Sequence, residues 1–200
     1  MRTSRTATTR TSTTRDRALR AAVDEVAEHG VHGLTHARVD ARAGLPKGST
    51  SNSFRTRAAL VAGLVAHIAE GERADAGGSG APERTDDPPA DVTTPEQLVD
   101  LLCALIETET GPHAGRTRAR LALSLEVAGD PDLAAPLHRQ RAAFVTWTAT
   151  LLRQVGAADP EAAARTVLAC GNGLVFQRLT VDPEVEVRPV VERCVRACLA

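Results

Sequence analysis

Apolar residues recur with a helical period along nearly the whole chain. Between Arg15 and His29, the residues Leu19, Ala22, Val23, Val26 and Ala27 fall at i, i+3, i+4, i+7 and i+8, the spacing of one buried helical face, and Gly30 closes the segment. A second helix is predicted from Thr35, whose hydroxyl suits an N-cap, with Val39, Ala43 and Leu45 as a small apolar stripe and Gly44 supplying the positive φ that ends it. Pro46 then sits where a first helical turn tolerates a missing N–H, and a short helix is predicted over Lys47 to Ser53. From Arg57 a long helix places Leu60, Val61, Leu64, Val65 and Ile68 on one face. After a break, the period resumes at Glu96 with Leu98, Leu101, Leu102, Leu105 and Ile106. It continues through a helix over His113 to Ala128, a third face of Leu133, Leu137, Phe144, Trp147 and Leu151, and a helix opened by Asp159, Pro160 and Glu161 that runs to about Leu179. Val187, Val190, Val191, Cys194, Val195 and Cys198 form the stripe of a last helix. Strand signals are weak throughout, so the expected fold is all-α.

Two segments lack this period. Residues 1–14 hold Arg, Thr and Ser, no acid and almost nothing apolar, which predicts a disordered basic arm able to reach DNA phosphate or the minor groove. Residues 74–95 are rich in Gly, Pro and Asp, and Val92 is their one aliphatic larger than Ala, so a flexible loop is predicted there.

The stretch from Thr35 to Arg57 reads as a helix-turn-helix. Its second helix carries Lys47, Ser49, Thr50, Ser51 and Asn52, hydrogen-bonding side chains unsuited to a core, and Phe54 anchors its end. Asn52 can bridge an adenine edge bidentately, Lys47 can donate to guanine N7 and O6 or to phosphate, and the hydroxyls serve either role. The segments ALRAAVDEVAEHG, LTHARVDARAGL, PKGSTSNSF and RTRAAL keep the spacing of a known pattern without a gap. Through them, residues Arg15 to Leu60 resemble the DNA-binding domain of TetR-family transcriptional regulators. Asp40 stands where that family usually has a small Ala, and Ser51 and Ser53 replace two usual aromatics that touch phosphate. These departures bear on contact chemistry and not on the fold. Further on, GNGLVFQRL, Gly171 to Leu179, is similar to the D-G-L stretch in the penultimate helix of many relatives, with Asn172 in the acid's place.

The resemblance implies a helix-turn-helix head of three helices (15–62) on a C-terminal helical bundle (63–200) that binds ligand and dimerises. It implies a sequence-specific regulator, a repressor that binds a palindromic operator as a homodimer and is released by a small molecule. It also places Thr35 and Arg57 at positions that grip the DNA backbone. For the bundle, the inward residues Leu102, Leu125, Phe144, Trp147 and Leu174 are expected to line an apolar pocket for an apolar effector. Val187, Val191, Cys194, Val195 and Cys198 are expected to form the dimer interface, since their stripe is long for a terminal surface helix. Gly171 and Gly173 in mid-helix suggest a close helix approach or a kink.

Charge supports a polyanion partner for one end only. Residues 1–60 hold 11 basic against 5 acidic side chains, residues 61–200 hold 13 against 20, and the whole chain carries −1. Lys47 is the only lysine, against 23 arginines. Four cysteines without Cys-x-x-Cys spacing, no signal peptide and no membrane span suggest a reduced, cytoplasmic protein. No cofactor or metal site is implied: Gly30 and Gly33 interrupt the run of His29, His32 and His36, and no catalytic frame is present. Cys194 and Cys198 at i, i+4 are read as small apolar fillers rather than a metal or redox pair. Two rival readings are a helical scaffold or enzyme subunit with an incidental helix-turn-helix, and a nucleoid-type binder without sequence preference.

Overall fold

A computed structural model of the chain describes residues 13–76 and 91–200, so most of the predicted arm and of the 74–95 segment lie outside the described residues. The described residues form helices and no strand. In order these are α1 (Thr14–His29), α2 (His36–Ala43), α3 (Ser49–Ser53), α4 (Arg57–Ala76), α5 (Pro95–Thr110), α6 (Ala114–Glu126), α7 (Pro131–Gln154), α8 (Pro160–Thr180) and α9 (Val187–Leu199). A single 3-10 turn, Val31–Gly33, joins α1 to α2.

The caps explain where several helices begin. Thr13 and Asp16 form a reciprocal capping box on α1, and Thr94 and Gln97 repeat it on α5. Asp130 and Asp159 accept the first N–H groups of α7 and α8, each followed by Pro at the first helical position.

Two apolar clusters organise the packing. The first joins α1, α2, Phe54 and α4 to Ala119 and Leu123 of α6, to Val127 just after α6 and to Ala134 of α7. The second joins α5, the C-terminal half of α7, α8 and α9, with Val92 folded onto it. α6 thus completes the core under the N-terminal helices, although it lies in the C-terminal half of the chain.

Candidate functional site

The turn between α2 and α3 is held by one buried carboxylate. Thr35 caps α2 through its hydroxyl, which accepts from the Arg38 N–H at 3.3 Å, and Gly44 ends the helix in the left-handed region at φ 60°. Gly48, also left-handed at φ 91°, then turns the chain into α3. Asp40 accepts the backbone N–H groups of Gly48 and Thr50, both at 2.8 Å, and the Thr50 hydroxyl at 2.5 Å. It does the work of an N-cap from the preceding helix, so α3 begins at Ser49 rather than at Lys47, and Pro46 lies in the turn. Burial by itself would raise the Asp40 pKa, but the Thr50 and Gly48 donors outweigh it and hold the carboxyl below its ordinary value. The unusual acid at this position therefore has a structural role.

Two of the side chains expected to touch DNA already have partners within the chain, Thr50 buried and Arg57 still exposed. Thr50 is fully buried against Asp40. Arg57 donates to the Val31 carbonyl at 2.9 Å and approaches Glu126 at 3.5 Å, which ties the start of α4 to α6. The Ser49 hydroxyl donates to the Pro46 carbonyl at 2.7 Å. Lys47, Ser51, Asn52 and Thr35 remain exposed, and Arg55, which the helical pattern did not single out, is exposed beside them. Among the described residues neither Lys47 nor Arg55 has an ion-pair partner.

The end of α3 is pinned by Phe54. Its ring is buried, the Arg15 guanidinium lies 5.0 Å above it, and its carbonyl accepts from His36 Nε2 at 2.7 Å. Gly63 of α4 lies so close that a Cβ there would stand 2.5 Å from Phe54 Cε1. On the other side, buried Glu25 of α1 accepts from Arg38 Nε at 2.8 Å and Arg42 Nε at 2.6 Å, and Arg42 also reaches Glu28. Burial opposes the Glu25 charge, but the Arg42 and Arg38 donors keep its pKa lowered overall. Arg17 completes the clamp by donating to the carbonyls of Ala43 and Gly44 at 2.8 and 3.2 Å. The short, polar α3 is thus presented by a rigid frame.

A cavity of about 350 Å³ opens among α5, α6, α7 and α8, within the range of small-molecule sites. Leu102, Leu105, Ile106, Phe144, Leu168 and Val175 make its apolar wall. Of the five expected lining residues, Leu102 and Phe144 are there. Leu125 points away and is 82% exposed, because the apolar face of α6 is turned by Leu123 toward α1. Leu174 is buried in the second cluster instead, and Trp147 stacks on Phe144 at 5.4 Å, one layer behind the wall. The lining is not purely apolar: Glu109, His113, Arg120, His138 and Arg141 converge on it. Glu109 accepts the Thr117 hydroxyl at 2.6 Å and pairs with Arg116 at 3.6 Å and Arg120 at 3.8 Å. Arg116 in turn donates to Nδ1 of His113 at 2.8 Å.

Residues 93–200, more than half the chain, match the family described as tetracyclin repressor-like, C-terminal domain. The chain belongs to the TetR family. The comparison with curated protein sequences gives no match. Among solved structures, a transcriptional regulator from Rhodococcus sp. Rha1 is 18% identical, covers 94% of this chain with 94% of its own, and superposes with a TM-score of 0.72. A TetR-family member from Streptomyces coelicolor A3 is 25% identical, over 94% of this chain and 99% of its own, with a TM-score of 0.66. The multidrug binding protein EbrR complexed with ethidium is 23% identical, over 94% of this chain and 100% of its own, with a TM-score of 0.67. The all-helical TetR architecture, an N-terminal helix-turn-helix on a C-terminal helical domain, is the one found here, and it is that of a DNA-binding transcriptional regulator. No helix among the described residues is long and apolar enough to cross a membrane.

In this TetR chain the stripe on α9 has a different partner from the one expected. Val187, Val191 and Val195 are buried within the chain itself, against α5 and α8, and do not face outward. Cys194 and Cys198 are half-buried beside them. Burial, with Cys170 and Cys198 adjacent, pushes the Cys194 thiol up to about 12, so it stays protonated. The outward face instead carries Ala162, Thr166, Ala169, Gly173 and Phe176 of α8, with Phe176 51% exposed, and Val190 of α9 at 40%. A Cβ on Gly173 would meet nothing, and one on Gly171 only Ile106 at 3.9 Å, so neither glycine serves close approach within the chain. Among the described residues no cluster of His, Cys, Asp and Glu is placed to hold a metal ion.

Proposed function

We propose that the chain is a homodimeric, sequence-specific repressor that leaves a palindromic operator when a small molecule enters the cavity. The observation that carries this reading is the double role of α6. Arg120 and Ser124 of α6 line the cavity, while Ala119 and Leu123 of the same helix pack in the core beneath α1 and α4, and Glu126 meets Arg57 at the start of α4. A ligand that shifts α6 must therefore shift the support of the DNA-reading helices. Residues 15–62 act as the reading head and 63–200 as the effector and dimerisation body. In the head, Asn52, Ser51 and Lys47 read base edges, while Thr35 and Arg55 hold phosphate.

Dimerisation is assigned to the outward faces of α8 and α9, where small residues along α8 and the exposed Phe176 and Val190 leave an apolar surface. EbrR, a neighbour in fold, is a multidrug binding protein complexed with ethidium, which supports a small-molecule ligand for this chain. A hundredfold loss of DNA affinity requires the ligand to favour the DNA-free form by about 2.7 kcal/mol. Fluorescence anisotropy of a labelled operator, titrated with a ligand, should fall over the concentrations at which Trp147 emission changes. Saturation of the cavity with unchanged operator affinity would make the body a scaffold without a switch.

A further inference from the structure

The polar groups of the cavity are unequally matched. Two guanidinium groups, Arg120 and Arg141, and one carboxylate, Glu109, line it. Glu109 is already engaged by the Thr117 hydroxyl at 2.6 Å and by the guanidinium groups of Arg116 and Arg120 at 3.6 and 3.8 Å. Arg141, by contrast, has no carboxylate partner or hydrogen-bond acceptor among the described residues. Desolvation and then the like charge of Arg120 push its pKa below the ordinary arginine value, which marks two neighbouring guanidinium groups of like charge at the cavity. His138 and Arg141 on α7 and Asn172 on α8 are the exposed lining residues, which puts this positive charge at the mouth. Most of the remaining lining is hydrocarbon from Leu102, Ile106, Phe144, Leu168 and Val175.

We propose that the cavity takes an amphipathic organic anion, its apolar body against the α5 and α8 wall and its carboxylate at the mouth between Arg141 and Arg120. This rests on the reading of the cavity as the effector site and names the chemical class of the effector. Planar guanidinium groups are suited to carboxylate oxygens, and a low-dielectric wall strengthens the pairing. A neutral ligand of the same body gains nothing from Arg141, which stays solvated at the mouth, and a cation adds a third like charge.

The test uses the full chain and two matched series below their aggregation limits: decanoate, decanol and decylammonium; naphthoate, naphthylmethanol and naphthylmethylammonium. Binding is read by calorimetry and by the shift in melting temperature, with Trp147 emission as a second signal for the decyl series, because Trp147 stacks on the cavity-lining Phe144. In at least one series the acid should bind ten-fold or more tighter than the alcohol, and the ammonium weakest. Arg141→Gln should bring the acid down to the alcohol and leave the alcohol unchanged; Arg141→Glu should reverse the order of acid and ammonium. Both replace an exposed side chain, and unchanged helical circular dichroism verifies the fold. Equal binding across a series, or acid binding indifferent to Arg141, overturns the anion proposal while leaving an effector cavity. Arg141-dependent acid binding without loss of operator affinity sustains the anion and overturns the switch. No binding by any of the six compounds overturns both.

Discussion

At the scale of single residues, the polar side chains of the reading head divide by where they point. Asn52 is exposed on α3, so Asn52→Ala should relax base preference at one position per half-site, at about 1 to 3 kcal/mol on the cognate duplex. Arg55→Ala should weaken cognate and scrambled duplexes alike and flatten the salt slope by about one unit. Competition binding on both duplexes at several salt concentrations separates the two, and equal losses for Asn52→Ala would remove it from base reading. Asp40 belongs to the frame. Its lowered pKa means that its stabilisation is fully present above the ordinary Asp value of about 4 and is lost as pH falls through the lower folded value. Asp40→Asn keeps the shape but turns an N–H toward a backbone donor, so it should cost about 1 to 3 kcal/mol at pH 7 and flatten the acid limb of the stability profile. Melts between pH 2 and 7 that coincide for the two proteins would contradict the role of the carboxylate.

At the scale of elements, helix positions and caps were legible because they depend on local chemistry. Thr35 caps α2 and Gly44 adopts the left-handed turn, as the residue types alone indicate. What faced what was not legible. Thr50 and Ser51 are adjacent polar residues, yet one is buried on a carboxylate ten positions earlier and the other is exposed, a difference set by the tertiary partner Asp40. The period of α9 correctly announced a buried face, but a period does not say whether the cover is the same chain or a second copy. Leu125 fails as a pocket residue for the same reason, since α6 has two neighbours and its apolar face follows the one under α1. Gly63 is the clearest element-scale contact that the pattern hid. Gly63→Ala should force Phe54 from its seat and destabilise the head by about 1 to 3 kcal/mol, with a loss of DNA affinity larger than the loss of ligand binding. An unchanged melting curve and unchanged DNA affinity would show that α3 does not depend on this contact.

At the scale of the whole molecule, the N-terminal part of the sequence is basic and the rest acidic, and α6 joins the packing beneath α1 and α4 to the wall of the cavity. Two reading heads on one palindrome require two copies held at a fixed separation. Because Val191 and Val195 are internal, charge introduced there would unfold the protomer and report nothing about assembly. Phe176→Glu is the informative change: light scattering should give a monomer with unaltered helix content and weaker operator binding, and a persistent dimer would move the interface elsewhere.

The most direct measurement of all is selection of duplexes from a random pool by the full chain. Enrichment should converge on an inverted repeat whose half-sites lie about one helical turn or a multiple apart, and Asn52→Ala should broaden the same position in each half. Retention of DNA without enrichment of any sequence would contradict a sequence-reading head, and enrichment of a single, unrepeated site would contradict the two-fold assembly.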